Sequence, residues 1–282
     1  MKSILMSRTS GILALLCTGG IWGGHALAAN EPTKAATPTS ATAKKPADDP
    51  VVEEKYQSLV AKLPPDEQAW EHTLQANLGN SYLPIHKRER VRGIPNAWTY
   101  VKDDSKLPRV LLIGDSISRG YTMATRTALV GKANIHRAPE NCGSTSNGLK
   151  KLDVWLGDGK WDVIHFNFGI HDRATPPAQY EERLEKIVAR LQKTGAKLVW
   201  ASSTPIPKDD AKKLTPESIV ERNAIAARVM QKHGIAVDDL FTIITPHLAT
   251  VQNPHDAHFT GKGYQLLGGQ VAESIKASLK TN

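Results

Sequence analysis

The sequence predicts an α/β fold, a parallel sheet with helices on both faces. Two observations carry this. Short apolar runs alternate with helical patterns of 10 to 18 residues from Arg109 onward, as parallel strands joined by crossover helices require. Chemically capable residues also cluster just after three of those runs, and in such sheets ligands sit at the carboxyl ends of the strands.

Arg109 to Ile113 reads as a buried strand, followed by Gly114-Asp115-Ser116 and a helix near Tyr121 to Val130. Ala133 to Arg137 is a short strand, then a loop and a helix around Leu149 to Leu156. Trp161 to Phe168 is a third strand, and Ala178 to Lys193 a long amphipathic helix. Lys197 to Ser202 and Ile235 to Val237 complete a set of five strands, separated by a helix over Pro216 to His233. The last helix runs from Gly263 to about Leu279, with Leu267, Val271, Ile275 and Leu279 on one face. That spacing suits a helix packed on a core.

Upstream the pattern changes. Met1 to Ser10 carries Lys2 and Arg8 and no acid, Gly11 to Gly24 is apolar, and Ala26-Leu27-Ala28 precedes Ala29. These are the three parts of a secretory signal peptide, residues 1–28. Leu16 before Cys17 does not suit a lipoprotein signal. Residues 29–50, rich in Ala, Thr, Pro and Lys, read as a flexible tether, because they have no apolar face to bury. Residues 51–107 read as a helical extension packed on the main domain at 108–282. Val52, Tyr56, Leu59 and Val60 mark one helix, Pro64-Pro65 breaks it, and Trp70, Leu74 and Leu78 mark a second. From Gly79 to Pro108 the pattern is irregular, anchored by Tyr82, Trp98 and Tyr100.

Composition narrows the function. Of 282 residues, 40% are hydrophobic, 23% charged and 6% aromatic, with a slightly negative mean hydropathy. This excludes a polytopic membrane protein, and no stable membrane insertion is expected. The formal charge of +8 is scattered, without the basic patch and interleaved aromatics of a nucleic-acid binder. Loss of Cys17 with the signal leaves Cys142 alone, so no intramolecular disulfide can form.

The candidate chemistry lies at the strand ends. Ser116 stands at a strand-to-helix turn, where a hydroxyl can act as a nucleophile once a base reaches it. His258, with Asp256 two residues before it, arrives just ahead of the last helix and supplies a base and an acid. A tetrahedral intermediate needs donors for its oxygen. The backbone N–H groups of Ser116 and Gly143 and the His171 side chain can provide them. Each residue also has a purely structural reading. Ser118 can be a helix cap, Gly143 and Gly169 turn residues, Asp172 a turn cap, and His165 a histidine buried in its strand.

Four ordered blocks resemble the SGNH hydrolases of the GDSL family. They are Leu112-Ile113-Gly114-Asp115-Ser116, Asn141-Cys142-Gly143-Ser144-Thr145, Gly169-Ile170-His171-Asp172, and His258-Phe259-Thr260-x-x-Gly263-Tyr264. The resemblance implies a flavodoxin-like five-stranded sheet and cofactor-free ester hydrolysis, often of O-acetyl groups on carbohydrate. By it Ser116 is the nucleophile, His258 the base and Gly143 an oxyanion donor. Two positions depart from the pattern. His171 stands where the family has an asparagine donor, with Asn167 an alternative donor. The family's acid commonly lies three residues before the base, where this chain has His255, so either Asp256 or a backbone carbonyl orients His258.

The expected function is therefore a secreted or periplasmic serine esterase acting on an acylated small molecule or polysaccharide. Three other readings compete. A metal-dependent hydrolase would draw on His165, His171, Asp172, His255, Asp256 and His258, although no fixed metal-binding spacing is present. A non-catalytic envelope protein would use the same cleft to hold a glycan. Cys142 as nucleophile would need a lowered pKa, and only the loop backbone is at hand to lower it.

Overall fold

The computed structural model describes residues 49–210 and 215–280; the signal and nearly all of the tether read from the sequence lie outside them. Three helices come first: α1 (Pro50–Val60), α2 (Pro65–Asn77) and α3 (Gly79–Val91). Then follow β1 (Arg109–Ile113), α4 (Ser116–Ala128), β2 (Asn134–Arg137), α5 (Thr145–Leu156) and β3 (Val163–Phe166). After a 3-10 turn at Ile170–Asp172 come α6 (Pro177–Gln192), β4 (Lys197–Ala201), α7 (Pro216–His233) and β5 (Ala236–Asp238). Two short helices, α8 (Leu240–Ile244) and α9 (Leu248–Val251), precede α10 (Gly261–Lys280).

All strand pairs are parallel, in the order β2-β1-β3-β4-β5. This is the flavodoxin-like order, with its switch point between β1 and β3. Side chains alternate across the pleat. Val110 and Leu112 enter one core with Leu267, Val271 and Ile275 of α10. Leu111 and Ile113 enter the other with Leu184, Ile187 and Trp155 of the α5 and α6 side. Full burial on both faces explains why these strands read as unbroken apolar runs.

Several local readings are corrected. The helix after β1 begins at Ser116, five residues before the apolar pattern starts, because Asp115 caps it by accepting from the Ile117 N–H at 2.9 Å. The stretch after Gly79, read as irregular, begins with α3, and Pro84 lies inside that helix. Helix α1 opens at Pro50, one residue before the pattern places it, with Asp49 as its cap. Helices α8 and α9 fall where the sequence shows no pattern, and four or five residues are too few to display one.

Helix α3 is held by a buried polar cluster that overrides its proline. The fully buried carboxylate of Glu71 accepts from Tyr56 Oη at 2.8 Å, His86 Nε2 at 2.8 Å and Arg90 Nε at 2.7 Å. Asn96 Nδ2 lies 3.2 Å from His86 Nδ1, which fits a neutral imidazole donating from Nε2 and accepting at Nδ1. One carboxylate thus ties α1, α2 and α3 together. Trp98 then joins the extension to the sheet, donating to the carbonyl of Ala138 at 3.2 Å.

Helix α10 lies close against α4. A Cβ on Gly120 would sit 2.0 Å from the Tyr264 ring, and one on Gly268 would sit 2.5 Å from Ala124 Cβ and 2.9 Å from the Thr125 nitrogen. The two helices approach this closely only because these positions lack side chains. No helix among the described residues is long and apolar enough to cross a membrane.

Two outcomes are expected. Alanine at Gly268 gains about 1 kcal/mol of helix propensity, but its neighbours are backbone and Cβ atoms that cannot swing away. Overpacking costs about 1–3 kcal/mol, so Gly268→Ala should lower the melting temperature; an unchanged or higher value would show that the seam has slack. The second outcome concerns pH. Burial raises the Glu71 pKa, but its bonds from His86, Arg90 and Tyr56 outweigh that and hold it below the ordinary glutamate value. A lowered carboxylate contributes stability that is complete above the unfolded value of about 4.3 and lost as pH falls through the folded one. Acid unfolding of the wild type should therefore contain a component below about pH 4 that Glu71→Gln removes. The same variant should also be less stable at neutral pH, by about 3 kcal/mol.

Candidate active site

Ser116 is the first residue of α4, directly after the carboxyl end of β1. Its N–H belongs to the first turn, where no intrahelical acceptor exists. The turn carrying it is pinned from below. Arg137, 1% exposed at the end of β2, donates from Nη2 to the carbonyls of Gly114 at 3.0 Å and Asp115 at 2.9 Å, and from Nη1 to Ser118 Oγ. Ser118 is therefore a buried link to Arg137, and the cap is Asp115.

His258 reaches Ser116 from the far end of the chain. Its Nε2 lies 2.8 Å from Ser116 Oγ and its Nδ1 lies 2.7 Å from Asp256 Oδ1. With the Nδ1 proton donated to Asp256, Nε2 is the acceptor for the serine hydroxyl. Asp256 thus orients the base with its own side chain, despite the two-residue spacing, and no carbonyl is needed. The loop conformation makes this possible. Gln252 and Phe259 form an antiparallel bridge, and Asn253 N–H donates to the His258 carbonyl at 2.9 Å. Within that turn His255 takes φ +54°, a left-handed conformation costing about 1–2 kcal/mol for a residue with a Cβ. It turns the chain so that Asp256, not the residue at 255, faces the imidazole. Burial raises the Asp256 pKa, but hydrogen bonds from the His258 side chain and backbone hold it below the ordinary aspartate range.

The second block is fastened to the first and third. Cys142 N–H donates to the Gly114 carbonyl at 3.1 Å. Asn147 Nδ2 donates to the Cys142 carbonyl at 3.0 Å. Gly143 between them has φ +65°, which glycine adopts without strain, and its N–H makes no hydrogen bond among the described residues. Asp172 reaches across from the third block. It accepts from Thr145 N–H at 2.8 Å and Thr145 Oγ1 at 2.6 Å, capping α5 from a distant segment. Buried Arg222 in turn donates from Nε to the Asp172 carbonyl at 2.9 Å, and from Nη2 to the Thr175 carbonyl.

His171, on the 3-10 turn, places Nε2 3.8 Å from Asp115 Oδ2. This is electrostatic contact beyond hydrogen-bond range, and neither ring nitrogen makes a hydrogen bond among the described residues. The imidazole therefore stands beside the nucleophile turn with an uncommitted donor. Asn167 does not: its Nδ2 donates to the Ala201 carbonyl at 2.7 Å and to Ser203 Oγ at 3.1 Å, using both amide hydrogens. Gly169 is needed for packing, since a Cβ there would sit 1.9 Å from Ser203 Oγ.

The remaining candidates are placed elsewhere. His165 is fully buried, 2.9 Å from Asp238, inside the sheet. No group of three or more His, Cys, Asp or Glu among the described residues is placed to hold a metal ion. Cys142 is buried, and burial pushes its thiol up to about 12, far from the thiolate a nucleophile needs. Arg137, the reach of Asp172 to Thr145 and the backbone of His255 have no sequence signal of their own. Each depends on segments distant in the chain or on a dihedral angle.

Comparison with known proteins agrees with this geometry. Residues 112–266, more than half of the chain, match the profile of the GDSL-like lipase/acylhydrolase family. Among solved structures, a lipase/acylhydrolase from Enterococcus faecalis is 22% identical with a TM-score of 0.53, covering 60% of this chain and 96% of its own. A GDSL-like lipase from Parabacteroides merdae is 14% identical with a TM-score of 0.53, covering 64% and 99%. Axe2, an acetylxylan esterase from Geobacillus stearothermophilus, is 12% identical with a TM-score of 0.51, covering 62% and 95%. At these identities the likeness shows the fold. No curated protein matches the chain by sequence. With its four blocks inside the matched region, the chain belongs to the GDSL-like lipase/acylhydrolase family, the esterases and lipases of SGNH type.

Proposed function

We propose that the protein is an exported serine esterase that removes small acyl groups, acetyl above all, from carbohydrate. The observation that carries the catalytic part is the continuous relay from Asp256 through His258 to Ser116, at 2.7 and 2.8 Å. Ser116 Oγ attacks the ester carbonyl carbon as its proton passes to His258 Nε2. The ionised Asp256 stabilises the imidazolium that forms. The oxyanion is met by the N–H groups of Ser116 and Gly143 and by His171. As the C–O bond breaks, His258 returns the proton to the leaving alcohol and an acyl-enzyme remains. Water then repeats the sequence and releases the acid.

One feature favours a large alcohol. The relay itself is open, with the side chains of His258 and Asp256 41% and 46% exposed, so an ester on a polymer can approach. The acetylxylan esterase among the structural relatives is consistent with that choice. Export rests on the signal-like first 28 residues.

Ser116→Ala should abolish hydrolysis of 4-nitrophenyl acetate without changing the circular dichroism spectrum. An organophosphonate should inactivate the wild type by labelling Ser116, while exhaustive chelation should leave the rate intact. An enzyme that is lost to chelation and restored by zinc would sink the serine mechanism.

His171→Ala should lower kcat by about 10²–10³ with little change in KM, the cost of one oxyanion donor. His171→Asn should recover part of the loss by restoring a donor. A full kcat in His171→Ala would remove His171 from the oxyanion site.

A further inference from the structure

A cavity of about 610 Å³ lies along the free edge of β2, between α2, the segment at 99–103 and the end of α5. That volume falls within the range of small-molecule sites, about 300–1,000 Å³. None of Ser116, Asp256 and His258 lines it, and it runs from Arg109 and Trp161 at the opposite ends of the strands to Arg137 beneath the Ser116 turn.

Two arginines in its wall stand out. Arg126 donates from Nε to the Ile135 carbonyl at 3.0 Å and from Nη1 to the Asn96 carbonyl at 3.1 Å, and its Nη2 has no hydrogen bond among the described residues. Arg137 is occupied through both Nη atoms by the nucleophile turn, but its Nε is buried without a partner. Neither guanidinium has a carboxylate within ion-pair distance among the described residues. Burial, and after it the like charge of Arg137, pulls the Arg126 pKa down to about 10. Each buried charge left without a counter-ion costs several kcal/mol. The neighbouring basic side chains are committed: Arg109 and His136 share Asp103 at 2.7 and 2.6 Å. Lys102 stands exposed at the rim.

Aromatic surface faces the same space. Trp161 is covered by Arg109, 4.3 Å from its ring, but Trp70 and Tyr100 line the cavity half-exposed. The rim also carries the exposed acids Asp66 and Asp158, acceptors suited to hydroxyl groups. Cations within, ring faces alongside and acceptors at the rim match a ligand with an acidic group and a hydroxylated ring.

We propose that this cavity binds an acidic saccharide, its carboxylate paired with Arg126 Nη2 in the field of the buried Arg137 charge and its ring against Trp70 and Tyr100. The anion half stands on the two arginines alone, whereas the choice of a saccharide rests on the catalytic reading above. The site would hold an acidic polymer while esters on it are cleaved.

The test titrates the full chain carrying Ser116→Ala with tetragalacturonate, neutral xylotetraose and inorganic phosphate, followed by calorimetry. Tetragalacturonate should bind saturably, at least tenfold more tightly than the other two. Tyr100→Ala and Lys102→Glu, both at the surface, should each weaken it about tenfold. In the Ser116 background the same substitutions should leave 4-nitrophenyl acetate hydrolysis unchanged. Equal binding of xylotetraose would overturn the role of the arginines, and equal binding of phosphate would reduce the cavity to a plain anion site. Binding that ignores both substitutions would place the ligand elsewhere. A wild type inactive on the aryl ester would refute the catalytic reading and leave these binding results to be judged alone.

Discussion

The close approach of α10 to α4 is the constraint on which the site depends. Ser116 opens α4 and His258 lies three residues before α10. These residues are 142 apart in sequence, yet a serine-histidine hydrogen bond tolerates only a few tenths of an ångström. Gly120 accepts the Tyr264 ring and Gly268 accepts the α4 backbone, so the interhelical distance is set by van der Waals contact. Loop conformation alone could not supply that precision, because the nine residues 252–260 between α9 and α10 have many accessible states. The strained turn at His255 works within this frame, adjusting where the acid points after the helices have placed the base.

Buried cations perform the corresponding task on the nucleophile side. Arg137 holds two carbonyls and a hydroxyl of the β1–α4 turn, and Arg222 holds three carbonyls of the loop carrying His171. A guanidinium has five donors in a rigid plane, so it can fix several carbonyls of an irregular segment at once. Trp98 stacks its ring near Arg137, 5.7 Å from the guanidinium carbon, while donating to the Ala138 carbonyl. In this way the helical extension reaches the underside of the nucleophile turn. Its own rigidity comes from the three donors on Glu71.

The oxyanion side differs from the asparagine pattern in a physically coherent way. Asn167, the amide just after β3, is spent on the last residue of β4 and on Ser203 beyond it. The imidazole of His171 is the group left with an uncommitted donor beside Asp115. Asp172, its neighbour in sequence, points the other way and caps α5. Two adjacent polar residues thus serve two different elements, as the tight 3-10 turn projects them in different directions.

The sequence by itself determined the sheet and the candidate residues of the site. Strands buried on both faces are largely apolar, so Val110 to Ile113, and Val163 to Phe166 with His165 its one polar residue, were legible as such. Ser116, Gly143, His171, Asp256 and His258 lie in short local blocks, where residue type and spacing carry the signal. Tertiary structure alone decided the rest. Helix α3 forms across a proline because Glu71, from another helix, supplies the compensating bonds. Asp256 became the partner of His258 through a positive φ at His255, a backbone choice that no residue pattern announces. Arg137 reads in sequence as the last residue of a strand, and only the fold puts the Gly114 carbonyl, 23 residues away, within its reach. Local pattern encodes which face a residue buries; the partners of a buried polar group are set by segments that meet only after folding.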